Sequence, residues 1–141
     1  MNSRFRFSTS SHEIDRALVH SWLSEESYWA KGRTRQAQDA AIDASRNYGM
    51  FEVESGAQVA YARVITDGVT FAWLCDVFVA THARGNSIGK GLIAGVVADL
   101  EPLGLPRVLL ATADAHGLYA KYGFAPLPAP DRFLARLQPG A

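Results

Sequence analysis

The chain has 141 residues, with 14 Lys+Arg against 14 Asp+Glu and four His, so its formal net charge is zero. That length is one domain's worth, and a composition of 48% hydrophobic and 20% charged residues excludes disorder. The charge balance excludes broad electrostatic binding to nucleic acid or to an anionic membrane, although 11 of the 14 basic residues are Arg and a local anion grip remains open.

The lone cysteine, Cys75, cannot pair within the chain, which removes a disulfide framework and a CxxC-type zinc or redox site; no metal is expected. The polar N-terminus lacks the roughly 7–15-residue apolar stretch of a signal peptide. No run approaches the ~18 apolar residues of a membrane helix. These features point to a cytoplasmic protein.

In chain order, Arg4–Ser8 alternates as a short strand, and Ser10-Ser11-His12-Glu13 has the spacing of a capping box. A first amphipathic helix is expected from there to about Leu23, carried by Ile14, Ala17, Leu18, Ser21 and Trp22. Ser24–Arg33 reads as a loop or helix end, and Thr34 can cap a second helix over about Arg35–Asn47. From Tyr48 the period becomes that of strands. YGMFEVE, QVAYARVITD and VTFAWLCDVFVA, split by Ser55-Gly56 and Asp67-Gly68, form a three-strand meander. The third run, Val69–Ala80, is apolar enough to be a central strand buried on both faces, yet carries Asp76.

A third helix follows and stops at Pro102 and Gly104. A short strand over Arg107–Ala111, a short helix over Asp114–Tyr122 ended by Gly123, and a last strand over Phe133–Leu137 complete the chain. The order is β-α-α-β-β-β-α-β-α-β, an α/β (α+β) fold, with no internal repeat or linker.

Two segments carry chemistry. Arg84-Gly85-Asn86-Ser87-Ile88-Gly89-Lys90-Gly91 opens a helix directly after a buried strand. Unpaired N–H groups and the positive dipole end favour an anion there, and glycines let a phosphate approach the backbone. A ligand-free turn is the alternative. It is not a P-loop: three residues separate Gly85 from Gly89 where four are needed, and Gly91 stands where Ser or Thr would hold magnesium. The second segment, Leu118-Tyr119-Ala120-Lys121-Tyr122-Gly123-Phe124, places a Tyr four residues before Gly-Phe, which also suits a core aromatic with a glycine cap.

Together the two segments, in this order and spacing, resemble the GCN5-related N-acetyltransferase (GNAT) superfamily over roughly Tyr48–Phe124. The resemblance implies a single domain over residues 1–141, with a cofactor core at about 48–124 and a mixed, mostly antiparallel sheet flanked by about four helices. It implies acetyl-CoA as co-substrate. The family's Q/R-x-x-G-x-G/A pattern falls on Arg84, Gly85, Asn86, Ser87, Ile88 and Gly89, whose N–H groups would hold the pyrophosphate, with Lys90 completing the loop; Ser87 stands where glycine is usual. Val77, Phe78 and Val79 would pair with the pantetheine arm and polarise the thioester. Tyr119 matches the tyrosine that protonates the departing thiolate, a role open to a phenol of pKa ~10. Thr112 occupies the place of a common cofactor-contacting Asn.

The acceptor must lose a proton, and Asp76 is the first candidate base: an acid in so apolar a run would have a raised pKa. A structural Asp bonded to loop amides or paired with an Arg is the alternative. His116 is a second base candidate. The resemblance implies direct transfer without an acetyl-Cys, and Cys75 does not change that: it alternates to the sheet face opposite Asp76, so if Asp76 faces the cleft Cys75 faces the core. Family acceptor regions fall here on Glu25, Glu26, Ser27, Tyr28 and Trp29, acids and aromatics that suit a cationic amine, or else a solvated helix end. The expected activity is therefore N-acetylation of a primary amine of a small molecule or peptide, with a non-catalytic acyl-CoA-binding or regulatory module as the alternative. Many family members pair through sheet edges or C-terminal strands, so a homodimer is one state the resemblance allows.

Overall fold

The computed structural model describes residues 4–140; Met1–Ser3 and Ala141, part of the terminal stretches read above, lie outside it. Five strands lie side by side in chain order: β1 (Phe5–Ser8), β2 (Arg46–Glu52), β3 (Gln58–Thr66), β4 (Ala72–Val79) and β5 (Val108–Leu109). The first four pair antiparallel, and β5 joins β4 in parallel. Helices α1 (Arg16–Ser21) and α2 (Arg35–Asp43) connect β1 to β2. Helix α3 (Ile88–Leu100) is the crossover that a parallel pair requires, and α4 (His116–Ala120) follows β5. The expected mostly antiparallel α+β architecture with four helices is thus present.

Pairing sets the faces. Tyr61 lies opposite Phe78 and Arg63 opposite Cys75, so these four side chains share one face of the sheet. Trp22, in the π-helical turn Trp22–Glu26 that prolongs α1, stacks on Phe78 there at 5.5 Å. On the same face Tyr61 Oη donates to Asn47 Oδ1 (2.5 Å), and Asn47 Nδ2 donates to Ile42 O (2.8 Å) at the end of α2. Against the sheet α3 buries Leu92, Ile93 and Val96. A Cβ at Gly95 would meet the Phe7 ring at 2.5 Å, so this mid-helix glycine, which costs ~1 kcal/mol in propensity, lets α3 approach β1 closely.

Several expected boundaries are corrected. Glu13 does not close a capping box: its carboxylate accepts from Arg6 and Ser8, Ser11–Glu13 is a single 3-10 turn, and α1 starts after Asp15, whose Oδ1 accepts from Leu18 N–H (3.1 Å). Thr34 accepts from Ala37 N–H (3.1 Å) as a cap, but α2 stops at Asp43 and Arg46 already belongs to β2. Strand β4 is shorter than the expected Val69–Ala80, beginning at Ala72 after the exposed Val69 and Phe71; within it no residue is exposed, and Leu74 and Phe78 are buried on opposite faces, while β5 pairs only with Ala72 and Trp73 and leaves the rest of that backbone edge open. The strand expected over Phe133–Leu137 does not form. Leu134 is 96% exposed and Leu137 72%, and the two-residue β5 is too short an edge to template a neighbour. The helix expected over Asp114–Tyr122 is confined to His116–Ala120, with Gly123 beyond it at φ +91°.

Candidate active site

The site starts where β4 and β5 part. Ala80 N–H donates to Val59 O (2.8 Å), toward β3. Strand amides alternate in direction, so Phe78 N–H also turns to β3, while Val77 and Val79 direct theirs to the opposite edge, where β5 has diverged. Arg84 Nε donates to Val79 O (3.0 Å), and its guanidinium lies 5.4 Å over the Phe78 ring. Of the three residues expected to meet an extended ligand, two offer backbone and Phe78 contributes packing.

The loop beyond is shaped by Gly85 at φ +87° and by Asn86, whose Nδ2 donates to Ala83 O (2.9 Å). Ser87, at the N-cap of α3, has φ +59° and ψ 23°. A left-handed conformation at this position is a physical reason for glycine there. Gly91 N–H bonds back to Ser87 O (3.1 Å) and closes the first turn, leaving the N–H groups of Ile88, Gly89 and Lys90 at the positive helix end. A cavity of about 770 Å³ opens here, lined by Gly85–Ile88, Lys90 and Gly91 and closed by Phe7, Met50 and Tyr122. A Cβ on Gly89 would touch Leu118 and Val79 (3.7 and 4.0 Å), which marks the convergence of α3, α4 and β4.

Tyr119 on α4 is buried, edge-on to Phe124 at 5.9 Å, and its hydroxyl has no hydrogen-bond partner among the described residues. Burial, with Asp114 and Tyr28 nearby, pushes its pKa up to about 12. At neutral pH it is a protonated phenol with a free donor. Thr112 Oγ1 accepts from Ala115 N–H (3.1 Å), and so shapes the approach to α4 with its hydroxyl. His116 is exposed and has no hydrogen bond or ion pair among the described residues. Tyr28 Oη accepts from Ala113 N–H (3.2 Å), which brings the α1–α2 loop against the approach to α4. On that loop Tyr28 and Trp29 are exposed and meet edge to face at 5.0 Å, with exposed Glu25 and Glu26 on the preceding π turn. Ser27 is turned inward, donating to Leu23 O (2.7 Å).

Asp76 differs most from expectation. Between Arg63 and Tyr61 of β3 stands one residue, whereas between Cys75 and Phe78 of β4 stand two, so Asp76 sits in a β-bulge, at φ +53°. Its side chain is 1% exposed. Oδ1 accepts from Trp29 Nε1 (3.0 Å) and Arg33 Nη2 (3.4 Å), and Oδ2 from Arg33 Nη1 (2.7 Å) and Arg63 Nε (2.9 Å). Burial alone would raise its pKa, but hydrogen bonds and charge from Arg33 and Arg63 outweigh it and hold the carboxyl below its ordinary value. The expected raised pKa is thereby overturned. The bulge also cancels the expected segregation: Cys75 lies on the same face, beside the same two arginines, with a thiol that burial raises to about 11.

Arg33 and Arg63 are the residues that sequence reasoning missed, being 43 and 13 positions from Asp76. The only signal was an acid in an apolar strand, which demands a partner without naming it. Gln38 supports Arg33 through Oε1 (3.0 Å), while its buried Nε2 has no partner among the described residues.

Comparisons with known proteins show the family and the fold. A crystal structure from Xanthomonas campestris pv. campestris, of a protein assigned to the GNAT family, superposes with a TM-score of 0.89 at 44% identity, covering 96% of this chain and 94% of that one. Serotonin N-acetyltransferase 2 of Oryza sativa subsp. japonica, a chloroplastic protein, is 36% identical over 72 residues, half of this chain; the shared stretch spans only 36% of the rice protein's length. N-acetylglutamate synthase from Neisseria gonorrhoeae, solved with coenzyme A and N-acetyl-glutamate, shares the fold at a TM-score of 0.69 and 16% identity, over 94% of this chain and 32% of that one. The model of the acetyltransferase (GNAT) family matches residues 13–124, from just before α1 to just after α4. That span takes in the bulged strand, the loop and Tyr119 alike, and the chain belongs to the GNAT acetyltransferase family.

Proposed function

We propose that the protein is an acetyl-CoA-dependent N-acetyltransferase that acetylates a primary amine of a small molecule or peptide by direct transfer. The observation that carries this reading is the meeting of three features in one corner: the edge of β4 at Val77 and Val79 that β5 leaves unpaired, the N–H groups of Ile88, Gly89 and Lys90 at the start of α3, and the unpartnered phenol of Tyr119. Bound acetyl-CoA supplies an activated thioester. The loop N–H groups bind its pyrophosphate, and the Val77–Val79 edge pairs with its pantetheine arm and polarises the thioester carbonyl. Tyr119 gives its phenolic proton to the sulfur as the C–S bond breaks and the C–N bond forms. Asp76, with both oxygens occupied, is a poor proton acceptor, so the amine proton leaves to water or to the exposed imidazole of His116.

A neutral Cys75 thiol favours direct transfer, and Cys75→Ala is expected to leave turnover unchanged. The exposed rim of Glu25, Glu26, Tyr28 and Trp29 suits a cationic amine. A cytoplasmic setting belongs to the proposal and is supported by the single thiol. The test is calorimetric titration with acetyl-CoA, then a screen of polyamines, amino acids, aminoglycosides and peptides for release of free thiol. Binding with turnover is the expected result. Binding without turnover on any acceptor class would favour a CoA-binding module, and no binding would overturn the reading.

A further inference from the structure

We infer that Asp76 is a positioning residue through which the acceptor loop sets the thioester-facing bulge of β4. The inference rests on the acetyl-transfer reading for its catalytic consequence. A left-handed φ is uncommon in a residue other than glycine, and the surroundings that hold it at Asp76 are specific. All four donors converge on one carboxylate, and three of them come from two residues of the α1–α2 loop, Trp29 and Arg33. Among the described hydrogen bonds, this loop reaches the strands of the sheet through those two side chains alone.

The consequence lies one residue further along. Asp76 immediately precedes Val77, whose amide faces the open edge of β4. Rotation at Asp76 would swing that amide, and a misplaced donor at a reacting carbonyl lowers rate without abolishing cofactor binding. The same loop carries the exposed Tyr28 and Trp29 rim. Asp76 thus links the surface that would meet the acceptor to the amide that would meet the thioester, while Arg63 anchors it to the neighbouring strand (2.9 Å).

The experiment compares the full-length wild type with Arg33→Gln, Arg33→Lys and Asp76→Asn, with the milder Trp29→Phe in reserve should Arg33→Gln fail to fold. For Arg33→Gln we expect kcat to fall about tenfold or more while acetyl-CoA affinity by calorimetry stays within about twofold, since only positioning is lost. Arg33→Lys should restore part of the loss, and the pH dependence of kcat should keep its shape in every variant. Unchanged kcat, a loss confined to the acceptor KM, or a displaced acidic limb in Asp76→Asn would each overturn the inference; the last would make Asp76 the proton acceptor itself. A readout independent of turnover is the amide spectrum. In Arg33→Gln the Val77 and Phe78 cross-peaks should move while those of Gly85 and Gly89 stay. Immobile Val77 and Phe78 peaks would refute the link even if the protein bound no acetyl-CoA, whereas failure of the wild type to bind acetyl-CoA would refute only the transfer reading.

Discussion

The two walls of the cleft rest on different physics. The Gly85–Lys90 wall is local: its shape follows from two left-handed residues, Gly85 and Ser87, and its chemistry from backbone N–H groups at one helix end. The Asp76 wall is assembled from afar, with Trp29, Arg33 and Arg63 arriving from 47, 43 and 13 positions away to satisfy one buried carboxylate. A wall made of backbone tolerates side-chain changes, because every residue keeps its N–H. A wall made of a buried ion cluster does not, because each deletion strands the remaining charges.

Tyr119 stands beside the first wall and gives the largest expected effect on turnover. Tyr119→Phe should lower turnover by ~10²-fold or more, the usual range for loss of a general acid, with acetyl-CoA affinity unchanged. Stopped-flow thiol release with calorimetry on the same sample separates the two quantities. Full turnover in the variant would mean that the unpartnered phenol is only a packed aromatic and that this side of the cleft supplies binding alone.

The second wall is tested through stability. Asp76→Ala leaves two guanidinium groups, 23% and 11% exposed, without their counter-charge, and should cost about 3–5 kcal/mol by denaturant unfolding. Truncating exposed Lys90 on the loop should stay within ~0.5 kcal/mol. The cluster also has a pH signature. Because the folded-state pKa of Asp76 is depressed, its contribution is fully present above the ordinary carboxyl value of ~3.9 and is lost as pH falls through the lower folded value. Wild-type stability should therefore fall more steeply than that of Asp76→Asn on acidification below about pH 4. Equal slopes would show that the cluster does not hold the carboxyl ionised.

What could be read from sequence follows the same division. The meander, the α3 crossover and the loop were legible because each is announced within a few residues by period, turn chemistry or glycine spacing. The partners of Asp76 were not, since Arg33 lies in a Lys-Gly-Arg stretch with no period and only the β3–β4 register brings Arg63 opposite Cys75. A bulge is invisible to strict alternation, and that one extra residue put Cys75 and Asp76 on one face instead of two. The capping box failed for a related reason: Glu13 has the right spacing for a cap but is claimed by Arg6 and Ser8 of β1, a tertiary contact overriding a local one. At the C-terminus, Phe133–Leu137 carries a strand's pattern but no neighbouring edge long enough to receive it.

The smallest effect is the sharpest test of the local wall. Ser87 holds φ +59° without a side-chain capping bond, so its left-handed backbone is strain that glycine would relieve. The relief is ~1–2 kcal/mol, offset by the ~0.5–1 kcal/mol of additional chain entropy that glycine loses on folding, for a net stabilisation of about 0.5–1 kcal/mol. Ser87→Ala keeps both the Cβ and the strain and should gain nothing. If the loop acts through its backbone, Ser87→Gly should bind acetyl-CoA at least as tightly as wild type, because the N–H stays and the approach widens. A glycine variant that binds more weakly, with an alanine variant equally weak, would assign the grip to the Ser87 hydroxyl and make this wall, like the other, dependent on a side chain.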